Sequence, residues 1–191
     1  MTTQTKGPKS PEMDWETVPQ GAHFVQVYQD ESRLMHALAG FTGHALASGG
    51  LALVIATAAH RSSLRALLLA RRHDLDPAQG SYVALDAADT LARFMVGGMP
   101  DPARFEATML AVIGPARAAG RRVHAFGEMV ALLWQQGDAA ATLELERLWD
   151  AFCKTHGVTL FCAYPRIGAT RDLGDSLAEA CQLHEWVLEP A

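Results

Sequence analysis

Cysteine is scarce in this chain: Cys153, Cys162 and Cys181 are the only three among 191 residues, and no two stand in a C-x-x-C spacing. An odd set without that spacing argues against a disulfide framework and gives no sign of a zinc or redox site. Long apolar runs are also lacking, since the longest, about "LALVIA", falls far below the ~20 residues a membrane-spanning helix needs. The opening "MTTQTKGPKSPEMDWETVPQG" has no apolar centre of the kind a secretory signal requires. Nor is there an excess of positive charge: 16 Lys+Arg stand against 21 Asp+Glu, a net charge of −5. Arg61, Arg65, Arg71 and Arg72 are diluted by alanine and leucine along one helical stretch. This balance speaks against nucleic acid or an anionic membrane surface as a direct partner. A reducing cytoplasm is the expected setting.

The motifs of several enzyme classes are missing as well. A phosphate-cradling loop needs G-x-x-x-x-G-K-[ST], because glycines let backbone N–H groups close around phosphate and the lysine supplies charge. The corresponding stretch here is "ATAAHRSSL", with neither glycine nor lysine, which argues against ATP hydrolysis by that mechanism. No G-x-S-x-G elbow, H-E-x-x-H helix or G-x-G-x-x-G fingerprint occurs either. No nucleophile, cofactor or metal set is named by the sequence. An enzyme, with Glu128 and Asp86 as acid and base, is therefore the least favoured of three readings.

With 49% hydrophobic residues, the chain is long enough for one well-buried domain. Residues 1–21, with Pro8, Pro11 and Pro19 and no apolar period, read as a mobile tail. After them, strand-length apolar runs at 23–28, 51–57, 81–86, 121–126 and 158–164 alternate with helical patterns. Helices are expected at 31–47, 60–73, 87–96, 102–119, 128–136 and 139–156, with a last one at 175–187. Gly49-Gly50, Gly97-Gly98, Gly120, Gly137 and Gly157 serve as stop signals. Pro115 is expected to kink or divide the 102–119 helix, and "QGD" to separate 128–136 from 139–156, with Asp138 as a cap. Such alternation predicts an α/β fold, a five-stranded mostly parallel sheet with helices on both faces. The core domain spans 22–170, and 171–191 forms a helical extension of it.

In such sheets ligands bind outside the carboxyl ends of the strands. That rule selects Tyr28, Thr57, His60, Arg61, Asp86, Glu128 and Tyr164. Each also has a structural reading: Asp86 as a helix cap with Asp89 in the capping-box position, Glu128 as a first-turn acid favoured by the helix dipole, and the tyrosines as buried rings with one satisfied hydroxyl. His60 and Arg61 open a helix where an anion could dock, or simply face solvent. His23, at the start of the first strand, stands at the wrong end of the sheet. Trp134 and Trp149 fit core spacing, but are also the residue type that anchors partner interfaces.

"HFVQVYQDESRLMHALAGF", "LALVIATAAHRSSLRALL", "YVALDAADTLARFMVGGMPDPARF", "RVHAFGEMVALLWQQGDAAATLELERLWDAF" and "LFCAYP" together resemble the methanogen/methylotroph, DcmR-type sensory domain, MEDS, from about His23 to Pro165. The resemblance implies a RecA/KaiC-like fold that has lost its nucleotide loop and a role in sensing small molecules, hydrocarbon derivatives above all. The pattern departs at "FMVGGMPD", where the family-like acid before glycine is missing and Asp101 is the nearest acid. Members often carry a DNA-binding or histidine-kinase module; none is expected here, so output would pass through a protein partner, such as a histidine kinase or transcription regulator, or through a homodimer. Two readings lead: a small-molecule sensor, and a protein-interaction module with a vestigial nucleotide site.

Overall fold

In the computed structural model, residues 15–166, 184 and 186–188 are described. The five expected strands are present and parallel: β1 (His23–Tyr28), β2 (Leu51–Ala56), β3 (Tyr82–Asp86), β6 (Val123–Gly127) and β7 (Val158–Pro165). A short strand β8 (Trp186–Leu188) joins them beside β1, giving the order β3-β2-β6-β7-β1-β8. Continuous apolar runs form the middle of the sheet because helices cover both of their faces; every residue of β2 and β6 is buried. At the edge β3 is only partly covered.

The helices divide cleanly by face. On one side α1 (Glu31–Ala47) and α2 (Ala58–Ala70) pack Leu34, Leu38, Phe41, Leu64 and Leu68 against Phe24, Val54, Phe126 and Phe161. The opposite face carries α3 (Ala87–Ala92), α4 (Pro102–Ala118), α5 (Met129–Gln135) and α6 (Ala139–His156). There Phe105, Met109, Leu133, Trp134, Leu145 and Trp149 meet Leu53, Ala125, Leu160 and Tyr164. Burying each such large apolar side chain is worth roughly 1.5–3 kcal/mol.

Local chemistry sets the boundaries. Asp30, Asp101 and Asp138 accept bonds from the free N–H groups of Ser32, Arg104 and Ala141 at the starts of α1, α4 and α6. Pro102 occupies the first turn of α4, where no N–H is needed. The expected break at "QGD" separates α5 from α6, and Gly157 closes α6 at φ +65°.

Four expectations change. The helix expected over 87–96 stops at Ala92; Met95–Val96 and Met99–Pro100 instead form a two-stranded antiparallel hairpin, β4 and β5. Gly97 and Gly98 are its turn, at φ +59° and +84°, the pair of positive angles that a tight hairpin requires. Helix α4 runs unbroken through Pro115, which lies in its last turn and so costs the ladder one donor near an end that frays anyway. Of the expected tail, Trp15 is docked: its ring lies 5.2 Å from Phe41 and 5.8 Å from Phe161. Of the helix expected at 175–187, Trp186 and Val187 belong to β8, and 175–183 and 185 lie outside the described residues.

Candidate functional site

Adjacent strands β2 and β6 end side by side, so the residues that follow them share one edge of the sheet. The Glu128 backbone N–H continues the ladder by donating to Ile55 at 2.9 Å. Its side chain makes no capping bond to its own helix. Instead the carboxylate turns across the edge and accepts the Thr57 backbone N–H at 2.7 Å. His60 Nδ1 lies 2.8 Å from the other carboxylate oxygen, out of line for a well-formed hydrogen bond and best described as an ion pair. From its far side His60 Nε2 reaches Glu31 at 3.0 Å. Glu128 and His60 are both buried, whereas Glu31 is exposed, so the imidazole links a sheltered carboxylate to a surface one.

Charge follows from this geometry. Contact with Glu128 is the largest influence on His60 and, with Glu31, outweighs the opposing effect of burial and raises the imidazole above its ordinary value. Tyr28, at the end of β1, has its phenol pushed up to about 12 by burial and by the negative charges of Glu128 and Glu31. Thr57 caps α2, its hydroxyl accepting the His60 N–H at 3.4 Å. Beside this group Arg61 spans to Asp86 at 2.8 Å and donates to the Ala56 carbonyl at 3.1 Å. Asp86 also caps α3 through the N–H groups of Ala88 and Asp89. The strand-end rule thus brings Tyr28, Thr57, His60, Arg61, Asp86 and Glu128 to one edge, with Glu31 added by α1.

Tyr164 does not join them. It is fully buried on the α6 side of the sheet, and its hydroxyl donates to Glu146. Trp134 and Trp149 are likewise buried in the core, 4% and 1% exposed, which leaves neither indole on the surface to anchor a partner.

Around Glu146 lies a second polar group. His23 and Cys162 come from neighbouring strands β1 and β7, Glu146 from α6 above them, and His184 from just before β8; all four are buried. His23 Nε2 and His184 Nε2 each stand 3.4 Å from Glu146 Oε2, and Cys162 Sγ stands 3.8 Å from the same oxygen. Burial alone would raise the Glu146 carboxyl, but His184, His23 and the Tyr164 hydroxyl outweigh it and hold it below its usual value. Burial and the neighbouring His184 push His23 down to about 4, while burial and Glu146 push the Cys162 thiol well up.

Sequence reasoning set His23 aside because it begins its strand. The sheet face, not the sheet edge, turned out to decide its neighbours: alternation puts His23 and Val25 on the α6 side. Glu146, in an amphipathic helix, gave no signal beyond being an acid at a core position. At the amino edge of the sheet there is also an open cleft of about 310 Å³, bordered by Leu46, Arg72, His73, Ser81 and Arg121.

These features define an α/β domain with a parallel sheet and an acid–imidazole–phenol group at its carboxyl edge, where "ATAAHRSSL" leads from β2 into α2. The chain belongs to the MEDS family, the methanogen/methylotroph, DcmR sensory domain, whose model matches residues 22–185. It is thus a member of a family of sensory domains. No curated protein and no solved structure matches it. No helix among the described residues is long and apolar enough to cross a membrane.

Proposed function

We propose that this chain is a sensory domain that binds a small molecule at the carboxyl edge of its sheet and passes the signal to a protein partner, such as a histidine kinase or transcription regulator. The carrying observation is Glu128: a buried carboxylate beginning a helix it does not cap, held by Thr57 and His60, with its charge felt at the Tyr28 phenol. Fixed acceptors and a phenol in one place suit a small hydrocarbon derivative with a hydroxyl or amine to donate, and the Arg61–Asp86 pair borders the same edge. The role is recognition. Glu128 is committed to two protein partners, Thr57 and His60.

Thermal shift with a panel of short-chain alcohols and amines tests this reading. A ligand that binds the native state alone at a hundredfold excess over its Kd raises Tm by about 5–10 °C for a domain of this size. Glu128→Gln and Arg61→Ala should reduce that shift while the variants still melt cooperatively. Hits that ignore both changes but vanish in Arg121→Ala would move the site to the amino-edge cleft and overturn the proposal.

A protein-interaction module with a vestigial site is the competing reading. Burial of Trp134 and Trp149 withdraws the two aromatic anchors that reading would use.

A further inference from the structure

We propose that His23, Glu146, Cys162 and His184 form a binding site for one divalent transition-metal ion, zinc by its donor set. Their donor atoms, two imidazole nitrogens, one carboxylate oxygen and one sulfur, all lie within 4.8 Å of one another, and all four residues are buried.

Spacing separates this cluster from an ordinary hydrogen-bonded network. His23 Nε2 to Glu146 Oε2, His184 Nε2 to Glu146 Oε2 and His23 Nε2 to Cys162 Sγ are each 3.4 Å, and Cys162 Sγ to Glu146 Oε2 is 3.8 Å. Nitrogen–oxygen hydrogen bonds normally close to about 2.7–3.2 Å. Zinc bonds of about 2.0–2.1 Å to nitrogen or oxygen and 2.3 Å to sulfur place tetrahedral ligands roughly 3.3–3.7 Å apart. The two nitrogen–oxygen contacts are thus long for hydrogen bonds; together with the His23–Cys162 contact they fall within the range of tetrahedral edges, and the Cys162–Glu146 contact lies just above it.

The surroundings agree. Glu146 carries a carboxylate into a helix face packed with Leu145, Trp149 and Phe152, where a charge demands strong compensation. Two imidazoles with ring centres 3.9 Å apart crowd the same carboxylate. Tyr164 donates to Oε1 of Glu146 and leaves Oε2 facing the two imidazoles and the thiol, as groups behind metal ligands do when they fix a carboxylate's orientation. Thiolate, imidazole and carboxylate together suit zinc rather than calcium or magnesium, which take oxygen alone. Four protein donors fill a tetrahedron, so the ion would hold structure and leave no position open for substrate. On binding, a metal–sulfur bond forms and the Cys162 thiol proton leaves to solvent.

Its place in the fold gives the ion a task. His184 stands two positions before the first residue of β8, while His23, Cys162 and Glu146 belong to β1, β7 and α6, so one ion would fasten the strand at the edge of the sheet to its centre.

Full-length protein stripped with chelator and titrated with Co²⁺ decides the matter. Expected are one equivalent bound per chain, a thiolate-to-cobalt charge-transfer band, the intense visible bands of tetrahedral cobalt, and displacement of both by zinc. Cys162→Ala should abolish the charge-transfer band, and His23→Gln should weaken binding. Tyr164→Phe, which keeps all four donors, should lower affinity by about 10–100-fold. Should a donor variant fail to fold, the wild-type spectrum and Tyr164→Phe still decide. Folded wild-type protein that binds no cobalt or zinc, or a cobalt spectrum without a thiolate band, would overturn the proposal.

Discussion

Buried in β6 against Phe41 and His44, the His124 imidazole has no hydrogen-bond partner for Nδ1 among the described residues. Burial first, then the nearby His44 and Arg122, lower it to about 4. Above pH 6.5 it is neutral in both folded and unfolded chains and has no effect on the pH dependence of stability. As pH falls from 6.5 toward 4 the unfolded chain takes up a proton that the native one refuses, so stability is lost at up to about 1.4 kcal/mol per pH unit. His124→Leu should lose less stability than wild type between pH 7.5 and 5, measured by urea unfolding; parallel curves would refute this. His60 works in the opposite sense. Its raised value means that its stabilising pair with Glu128 is fully present below about pH 6.5 and is lost as pH rises through the folded value. His60→Gln should therefore be most costly on the acid side. The carboxyl-edge group was legible at this scale because one rule, strand ends, selects consecutive short stretches. The His23–Glu146–Cys162–His184 group was not, because its members are scattered from position 23 to position 184 over three elements and the approach to β8, and no spacing rule joins residues whose only relation is sheet register and a covering helix.

At the scale of elements, α1 shows why local preference misleads. Gly40 sits in the helix where Ala is favoured by about 1 kcal/mol, yet a Cβ there would meet Trp15 Nε1 at 2.7 Å. The glycine is a seat for the indole, which lies against Phe24, Phe41 and Phe161. Gly40→Ala should thus be neutral to destabilising in the wild type and stabilising in a Trp15→Ala background, a sign change that a double-mutant cycle on urea midpoints reads directly. Equal effects in both backgrounds would show that Trp15 does not press on the helix. The stretch around Trp15 was read as tail because three prolines hide a single anchoring aromatic, and one residue makes no period. The hairpin after α3 was missed for a related reason. Gly97-Gly98 ends a helix or turns a hairpin equally well, and only the two short runs Met95–Val96 and Met99–Pro100, each below the length at which alternation can be counted, distinguish them.

For the whole molecule, the strand order makes stability uneven across the sheet. The strands legible as apolar runs, β2, β6 and β7, are central and covered by helices on both faces; β3 and β8 close the two edges, β3 partly exposed and β8 pairing with β1 over three residues. Amides whose hydrogen bonds break only with the core report the global free energy, and edge amides open earlier. Native-state hydrogen exchange should accordingly rank β6 and β7 slowest, β2 close behind, and β3 and β8 fastest. Zinc acting through His184 adds a specific departure from that order: β8 should slow selectively in the loaded protein, while β3, at the opposite edge and far along the sheet from the cluster, should not change relative to the core. A ligand at the carboxyl edge predicts a different pattern, with protection at the starts of α2 and α5, where Thr57 and Glu128 stand. Because the two patterns fall on different segments, one exchange experiment run with zinc, and again with any thermal-shift hit, separates metal binding from sensing. Uniform slowing of every strand by either agent would mean that it stabilises only the global fold and acts at neither place.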